Sequence, residues 1–228
     1  MIKPEHVAIV PDGNRRWTEK HGLPKFRGHQ AGAERMHQIV DALLQLEIRY
    51  LTIWGFSLDN WKRTDDEIQN IFNLLGLWVE KDTPWLHEKC VRLKYIGRLD
   101  ELPPDLQCVI NNAIELTQDN QGMTLILAFN YTGRVEIVDA ARRLIKDKVP
   151  WHEVDENLFS HHLYTDGMPD VDLVIRTADE IRLSNFMLWQ TAYSEYYFTE
   201  VLWPDFDEKE LEKALEVYSE RQRRFGGD

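Results

Sequence analysis

At Asp12-Gly13-Asn14-Arg15-Arg16 a carboxylate, a glycine and two guanidiniums follow directly on the apolar run Val7-Ala8-Ile9-Val10 and Pro11. Arginine forks grip phosphate oxygens in pairs, a carboxylate holds Mg²⁺, and a glycine lets the backbone approach a ligand closely. These residue types together suit a metal-bound diphosphate. A second group, Arg176-Thr177 through Arg182-Leu183-Ser184, places two arginines and a hydroxyl after another apolar run. Arg176, Arg182 and Ser184 suit a second diphosphate; the plain alternative is a surface loop in which Asp179 and Glu180 neutralise the arginines. A third group, Arg27-Gly28-His29-Gln30-Ala31-Gly32, opens a helical pattern. Unpaired N–H groups at a helix N-terminus attract anions, and Lys25, Arg27 and His29 would add charge to such a cradle.

The elements that must position these groups are legible as periodicities. Strand-like runs lie at Val7 to Val10, Tyr50 to Phe56, Val91 to Ile96, Met123 to Phe129, Val171 to Ile175 and, more weakly, Tyr196 to Leu202. Between them, Met36, Ile39, Val40, Leu43 and Leu44, and then Ile68, Ile71, Phe72, Leu75, Trp78 and Val79, repeat as one face of a helix. Such alternation predicts an α/β fold, a mainly parallel sheet covered by helices on both faces. Polar residues follow the strands: Asp12 to Arg16, then Ser57-Leu58-Asp59-Asn60-Trp61-Lys62-Arg63, then Asn130-Tyr131-Thr132-Gly133-Arg134, then Arg176-Thr177. Because parallel strands share one carboxyl edge, four sequence-distant clusters are expected to meet in one crevice.

Composition narrows the class. The 228 residues suit one α/β domain, with no linker, repeat or low-complexity tract. Lys and Arg total 27 against 39 Asp and Glu, a net charge of −12, so nucleic acid is not an expected partner and any anion must be held by local arginines. The two cysteines, Cys90 and Cys108, have no metal or redox spacing. No apolar run approaches the ~18 residues of a membrane span, so a soluble chain is expected, and the cysteine usage fits a reducing cytoplasm. GxxxxGK[ST], GxGxxG and HExxH are absent. Asp65-Asp66-Glu67 reads as complementing a helix dipole, His161-His162 lacks acidic partners at ligand spacing, and the tryptophans read as core or pocket wall.

With these motifs in order, the chain resembles the cis-prenyltransferases, the undecaprenyl diphosphate synthase family. The resemblance runs from Val7 to Gly227 and adds Phe56-Ser57-Leu58-Asp59-Asn60-Trp61, Trp203-Pro204-Asp205-Phe206 and Arg223-Arg224-Phe225-Gly226-Gly227 to the groups above. It implies a homodimeric, Mg²⁺-dependent enzyme that adds isopentenyl diphosphate to an allylic diphosphate, farnesyl or geranyl, with each new double bond cis. The implied fold is a single domain over 1–228, with a six-stranded, mainly parallel sheet flanked by helices and enclosing an apolar product tunnel. Asp12 would bind Mg²⁺ with Glu195 completing the metal environment, and Asn60 and Ser57 would assist catalysis and proton loss. Gly13, Asn14, Arg15, Arg16, Trp17, Lys25, His29 and Arg63 would surround the allylic diphosphate. Arg176, Arg182 and Ser184 would hold isopentenyl diphosphate, with Arg224 and Gly226 of a tail, 219–228, reaching the partner subunit's site. Met36, Val40, Leu43, Gly55, Ile71 and Leu75, with Ile39, Ile68 and Phe72 beside them, are the expected tunnel walls.

Four positions depart from the family pattern. Ala178-Asp179 stands where Ser-Gly or Gly-Gly is usual, Ile181 where Gln or His is common, and Lys25 where an arginine is common, a point charge replacing a fork. Gly55 leaves room before Phe56-Ser57, which favours a medium-chain lipid carrier for envelope glycans; Trp54, Trp78 and Trp85 are the residues able to block the tunnel instead. A short-chain or irregular-coupling transferase and a non-catalytic partner subunit are the alternatives, and peripheral membrane contact for product release is compatible with each.

Overall fold

Val7 and Ile9 belong to one cluster of buried side chains and Ala8 and Val10 to another, the period of two expected of a strand covered on both faces. A computed structural model describes residues 2–221. Its strands are β1 (His6–Val10), β2 (Tyr50–Phe56), β3 (Arg92–Ile96), β4 (Thr124–Phe129), β5 (Leu173–Arg176) and β6 (Glu195–Phe198). They form one sheet in the order β3-β4-β2-β1-β5-β6, and every pairing is parallel. The helices are α1 (Asn14–His21), α2 (Lys25–Gln45), α3 (Asp65–Glu88), α4 (Pro104–Thr117), α5 (Gly133–Lys146), α6 (Glu156–Ser160) and α7 (Glu208–Glu220). The expected fold class is the one observed.

The larger cluster joins β1, β2 and β4 to α2, α3, α4 and α7 through residues such as Ile39, Leu43, Phe72, Ile110 and Leu211. The smaller cluster lies on the opposite face, where Tyr131, Phe186 and Met187 cover Ala8, Ile126 and Val174. β1 is central: β2 pairs on one side and β5 on the other, so the carboxyl ends of β1, β2 and β5 lie side by side. The connection after β1 runs to β2 on one side and that after neighbouring β5 runs to β6 on the other, the divergence that opens a ligand crevice at that edge. Among the described residues no helix is long and apolar enough to cross a membrane.

Burial at the amino edge of β1 has a cost that depends on pH. His6 is fully buried; its Nδ1 is 2.9 Å from the Pro169 carbonyl, which can only accept, so Nδ1 carries the proton and Nε2 accepts from Thr52 Oγ1 at 2.8 Å. Desolvation lowers its pKa from 6.5 to about 4. Between those values the unfolded chain binds the proton and the folded one does not, so stability contributed by neutral His6 is complete above pH 6.5 and lost as pH falls toward 4. The loss is on the order of 3 kcal/mol. Urea titrations from pH 7 to pH 4 should show it, and His6→Gln should flatten that part of the profile.

Candidate active site

After β1, Pro11 ends the ladder and Gly13 turns the chain into α1 with φ of 109°. A side chain there would be strained by that angle and would meet Ala178 Cβ and Leu202 Cδ2 at 3.0 Å. The turn is tied to its neighbours through the Asp12 carbonyl, which accepts from Thr177 Oγ1 at 2.7 Å and from Trp203 N at 3.0 Å. Its carboxylate meets Arg176, the last residue of β5 and the register partner of Val10. Asp12 Oδ2 accepts from Arg176 Nε at 2.9 Å and lies 2.7 Å from Nη2. Asp12 Oδ1 has no described partner, and the Asp12 side chain is 38 % exposed against 5 % for Arg176. The remaining guanidinium nitrogen, Nη1, donates to Ser184 Oγ at 2.8 Å and to the Arg182 carbonyl.

These groups form one wall of a cavity of about 450 Å³ at the carboxyl edge of the sheet. Asp12, Gly13, Asn14, Arg15, Arg16, His29, Ser57, Asn60, Arg63, Arg176 and Ser184 all line it, so the four sequence-distant clusters contribute three to this crevice. The exception is Asn130, whose side chain is buried and donates to Arg98 and Glu101 while accepting from Trp61 Nε1. Ser57 and Asn60 cap a short 3₁₀ turn, Leu58–Lys62: Ser57 Oγ accepts from Asp59 N at 3.1 Å, and Asn60 Oδ1 from Ser57 N at 2.9 Å. With both oxygens so used, the Asn60 amide NH₂ and the Ser57 hydroxyl proton are the groups left to donate to a ligand.

Two buried polar atoms at this cavity have no partner, Asn14 Oδ1 and His29 Nε2. Native interiors rarely leave such atoms unpaired, so each needs a water or a bound group to satisfy it. Desolvation and then the positive charge of Arg63 lower the His29 pKa, so its imidazole is neutral near pH 7. Asn14 itself is fixed by the approach of α2: a Cβ at Gly28 would lie 2.1 Å from the Asn14 carbonyl oxygen.

Two carboxylates not assigned to the site from sequence hold the arginines. Glu67 Oε1 accepts from Arg63 Nη1 at 3.0 Å and its Oε2 lies 3.7 Å from Arg15 Nη2. Its i, i+4 spacing from Arg63 was the available signal, masked by the neighbouring Asp65 and Asp66. Glu180 Oε1 accepts from Arg16 Nη2 at 2.9 Å and its Oε2 pairs with Arg182, so one side chain bridges the two arginine groups.

Other expected residues lie elsewhere. Arg182 is exposed on Glu180 and does not line the cavity, which makes that end of the loop the salt-bridged surface weighed as the alternative. Glu195 heads β6 in register with Leu173, three residues back from the level of Arg176, so it sits about 10 Å or more along the strands from Asp12. Its carboxylate accepts from Arg221 at 2.8 Å instead, and within one chain it does not share a cation with Asp12. Trp17 Nε1 donates to Asp205 at 2.8 Å, and Lys25 is exposed at the start of α2; neither lines the cavity. Arg224 and Gly226 lie outside the described residues. Of the expected tunnel walls, Met36, Gly55, Ile71 and Leu75 line a second, apolar cavity of about 120 Å³ that shares Asn14, His29, Gly55 and Ile71 with the first. Val40, Leu43, Ile39, Ile68 and Phe72 do not; they pack in the larger core, because α2 and α3 turn those faces to the sheet.

A Mg²⁺ ion keeps several waters and takes one or two carboxylates plus substrate phosphates. Asp12, with one oxygen unpartnered beside the cavity, fits that requirement. Among the described residues no cluster of three or more acidic, His or Cys side chains forms a self-sufficient metal cage.

The loop after Arg176 is strained. Ala178 and Asp179 have φ of 70° and 55°, the left-handed region that glycine favours, and Ser184, Asn185 and Met187 share it. Ala178 N and Asp179 N donate to Val201 O and Thr199 O at 2.8 Å, so the segment just past β6 holds the chain in this shape. Exposed Asp179 is the simplest place to relieve it. Asp179→Gly should raise the unfolding free energy by about 0.5–1 kcal/mol, read from the denaturation midpoint.

Comparison with known proteins gives the same answer from several sides. A family model described as "Putative undecaprenyl diphosphate synthase" matches residues 10–226. An "Isoprenyl transferase" of Fusobacterium nucleatum is 46 % identical over 224 residues, covering 98 % of this chain and 96 % of that protein. One from Thermotoga maritima is 45 % identical, covering 100 % of this chain and 98 % of that protein. Among solved structures, lavandulyl diphosphate synthase from Lavandula x intermedia, crystallised with dimethylallyl diphosphate, aligns with a TM-score of 0.94 at 39 % identity over 98 % of both chains. A "probable undecaprenyl diphosphate synthase" from Campylobacter jejuni aligns at 0.84 with 32 % identity, over 99 % of this chain and 100 % of that one.

Proposed function

The chain belongs to the undecaprenyl diphosphate synthase family and is a cis-prenyltransferase by that membership, and from there we propose that it condenses isopentenyl diphosphate with an allylic diphosphate, farnesyl or geranyl, to a medium-chain Z-polyprenyl diphosphate. One observation carries the reading: Asp12 offers an unpartnered carboxylate oxygen to a cavity that also exposes Arg15, Arg16 and Arg63 and the orphaned atoms of Asn14 and His29. In a protein of net charge −12 that cluster has the composition a diphosphate needs.

In the reaction the C–O bond of the allylic diphosphate breaks and both electrons leave with the diphosphate. The terminal alkene carbon of isopentenyl diphosphate attacks the allylic carbon, and loss of a C2 proton sets the new cis double bond. Mg²⁺ on Asp12 would neutralise charge that grows on the leaving diphosphate. The arginines and the α1 N-terminus are already placed for the same charge, and fixed donors of this kind need no reorganisation as the bond breaks. The Asn60 amide and the Ser57 hydroxyl are not bases at neutral pH. They therefore act as donors that steer the C2 proton to a phosphate oxygen.

Ser184 and Arg176 would hold isopentenyl diphosphate, with Arg182 joining if it exchanges Glu180 for phosphate. A homodimer is part of the reading, since Val138, Ile145, Trp151 and Val154 are exposed apolar residues on and after α5, Trp151 at 86 %. The partner's tail, 219–228, and Glu195 would complete the site across that dimer. The second reading, a short-chain or irregular-coupling enzyme acting on a primer such as dimethylallyl diphosphate, has the 120 Å³ apolar cavity and the close match to lavandulyl diphosphate synthase in its favour. A cytoplasmic enzyme that meets the membrane only to release product fits either.

Purified protein with Mg²⁺, labelled isopentenyl diphosphate and each allylic primer should give chain-elongated products. Chelation should abolish them, and Asp12→Ala should lower kcat/KM by about 10²-fold or more. An Asp12→Ala enzyme with near-normal turnover removes the metal assignment, and absence of incorporation with every primer removes the reading.

A further inference from the structure

The turn that joins α1 to α2 runs against the acidity of the chain. Residues 14–30 hold five of its 27 Lys and Arg but only one of its 39 Asp and Glu. Arg15 and Arg16 line the crevice and lie against Glu67 and Glu180, whereas Lys20, Lys25 and Arg27 form no ion pair with any described carboxylate. Every residue from Glu19 to Arg27 is exposed, and two of them are large and apolar, Leu23 at 42 % and Phe26 at 47 %.

The backbone displays these two side chains from a fixed shape. Gly22, with φ of 64°, closes α1, and Leu23 N donates back to the Thr18 carbonyl at 2.9 Å. Pro24 locks the entry to α2, where its carbonyl accepts from Arg27 N at 3.0 Å. The Arg27 guanidinium lies over the Phe26 ring, 5.3 Å from its centre, so cation and ring occupy one surface. Apolar side chains interleaved with unpaired cations are the composition of a segment that lies in a lipid interface. Other exposed apolar residues lack that setting. The stretch 134–155, which carries Val138, Ile145, Trp151 and Val154, has five basic and five acidic residues, and Leu116 on α4 stands between Glu115 and Asp119.

We propose that the α1–α2 turn docks on an anionic lipid bilayer, with Leu23 and Phe26 entering the boundary between headgroups and acyl chains while Lys20, Lys25 and Arg27 meet the lipid phosphates. Charge complementarity selects this occupant and also orients it. The acidic remainder of the chain is repelled by an anionic surface, so the turn leads the approach. Helix α1 spans eight residues, about 12 Å, from the turn back to Asn14, and α2 brings His29 to the same place; both residues line the crevice and the apolar cavity behind it. A chain docked in this way holds its site about one helix length from the bilayer. That an apolar product then passes into the lipid rests on the prenyl transfer proposed above; the docking itself does not.

Co-sedimentation of the full chain with vesicles tests it, using phosphatidylcholine mixed in equal parts with phosphatidylglycerol, and phosphatidylcholine alone. The protein should bind the mixed vesicles at low salt, more weakly at high salt, and more weakly still to the neutral ones. Lys20→Gln should lower the partition coefficient about 5-fold. Leu23→Ser combined with Phe26→Ser should lower it about 10-fold or more, while Leu116→Ser should bind as wild type does. Thermal melts report folding; if the double variant is unfolded, Lys20→Gln decides. Absence of binding to the mixed vesicles, equal binding to both kinds, or wild-type binding by a folded turn variant overturns the proposal. Incorporation of labelled isopentenyl diphosphate is measured separately. A protein that binds vesicles but incorporates nothing leaves the dock standing and overturns the transfer reading; one that incorporates without binding overturns the dock alone.

Discussion

The ion pair between Asp12 and Arg176 is the constraint on which the crevice depends. It joins the ends of two neighbouring strands, β1 and β5, and it places a largely buried guanidinium beside a half-exposed carboxylate. A buried charge is costly unless paired, and removing one partner of such a pair leaves the other uncompensated, typically at about 3–5 kcal/mol. Arg176 spends its other nitrogen on Ser184 and on the Arg182 backbone, so the same side chain that fixes Asp12 also shapes the loop beyond β5. One residue thereby orders both halves of the proposed two-diphosphate site, and leaves one oxygen of Asp12 for a cation.

Around that pair the arginines are held by carboxylates, Glu67 for Arg15 and Arg63, Glu180 for Arg16 and Arg182. The carboxylates of these pairs are largely covered while the arginines reach solvent or the cavity, so a phosphate of higher charge competes for the guanidiniums. Their value lies in keeping guanidiniums near the crevice without a ligand. The strained stretch from Ala178 to Met187 has the same logic: left-handed backbone at non-glycine residues persists because the Arg176 side chain and the segment just past β6 hold it.

Much of this was legible from the chain alone. The six strands and the apolar faces of α2 and α3 follow from periodicity; each strand starts within two residues of its expected start, and β6 ends at Phe198, four residues short of the expected Leu202. The convergence of Asp12, Ser57, Asn60, Arg176 and Ser184 followed from their places after parallel strands. Asn130 obeyed the same positional rule yet turned inward, because Trp61, Arg98 and Glu101 satisfy its amide below the crevice. Val40 and Leu43 share the helical stripe of Met36, but the stripe is wider than the cavity, and most of it packs on the sheet.

The sequence by itself determined the sheet, the helices that cover it and the edge at which the charged residues gather, because these depend on local period and on the common direction of parallel strands. Only the tertiary structure decided which carboxylate faces which guanidinium, that Glu195 lies near the opposite edge of the sheet from Asp12, and that Trp78 lines both the apolar cavity and the more open groove between α2 and α3. Those outcomes depend on strand register and on the angle at which α2 and α3 meet the sheet. Side chains far apart in the chain set both, through packing that no local pattern records.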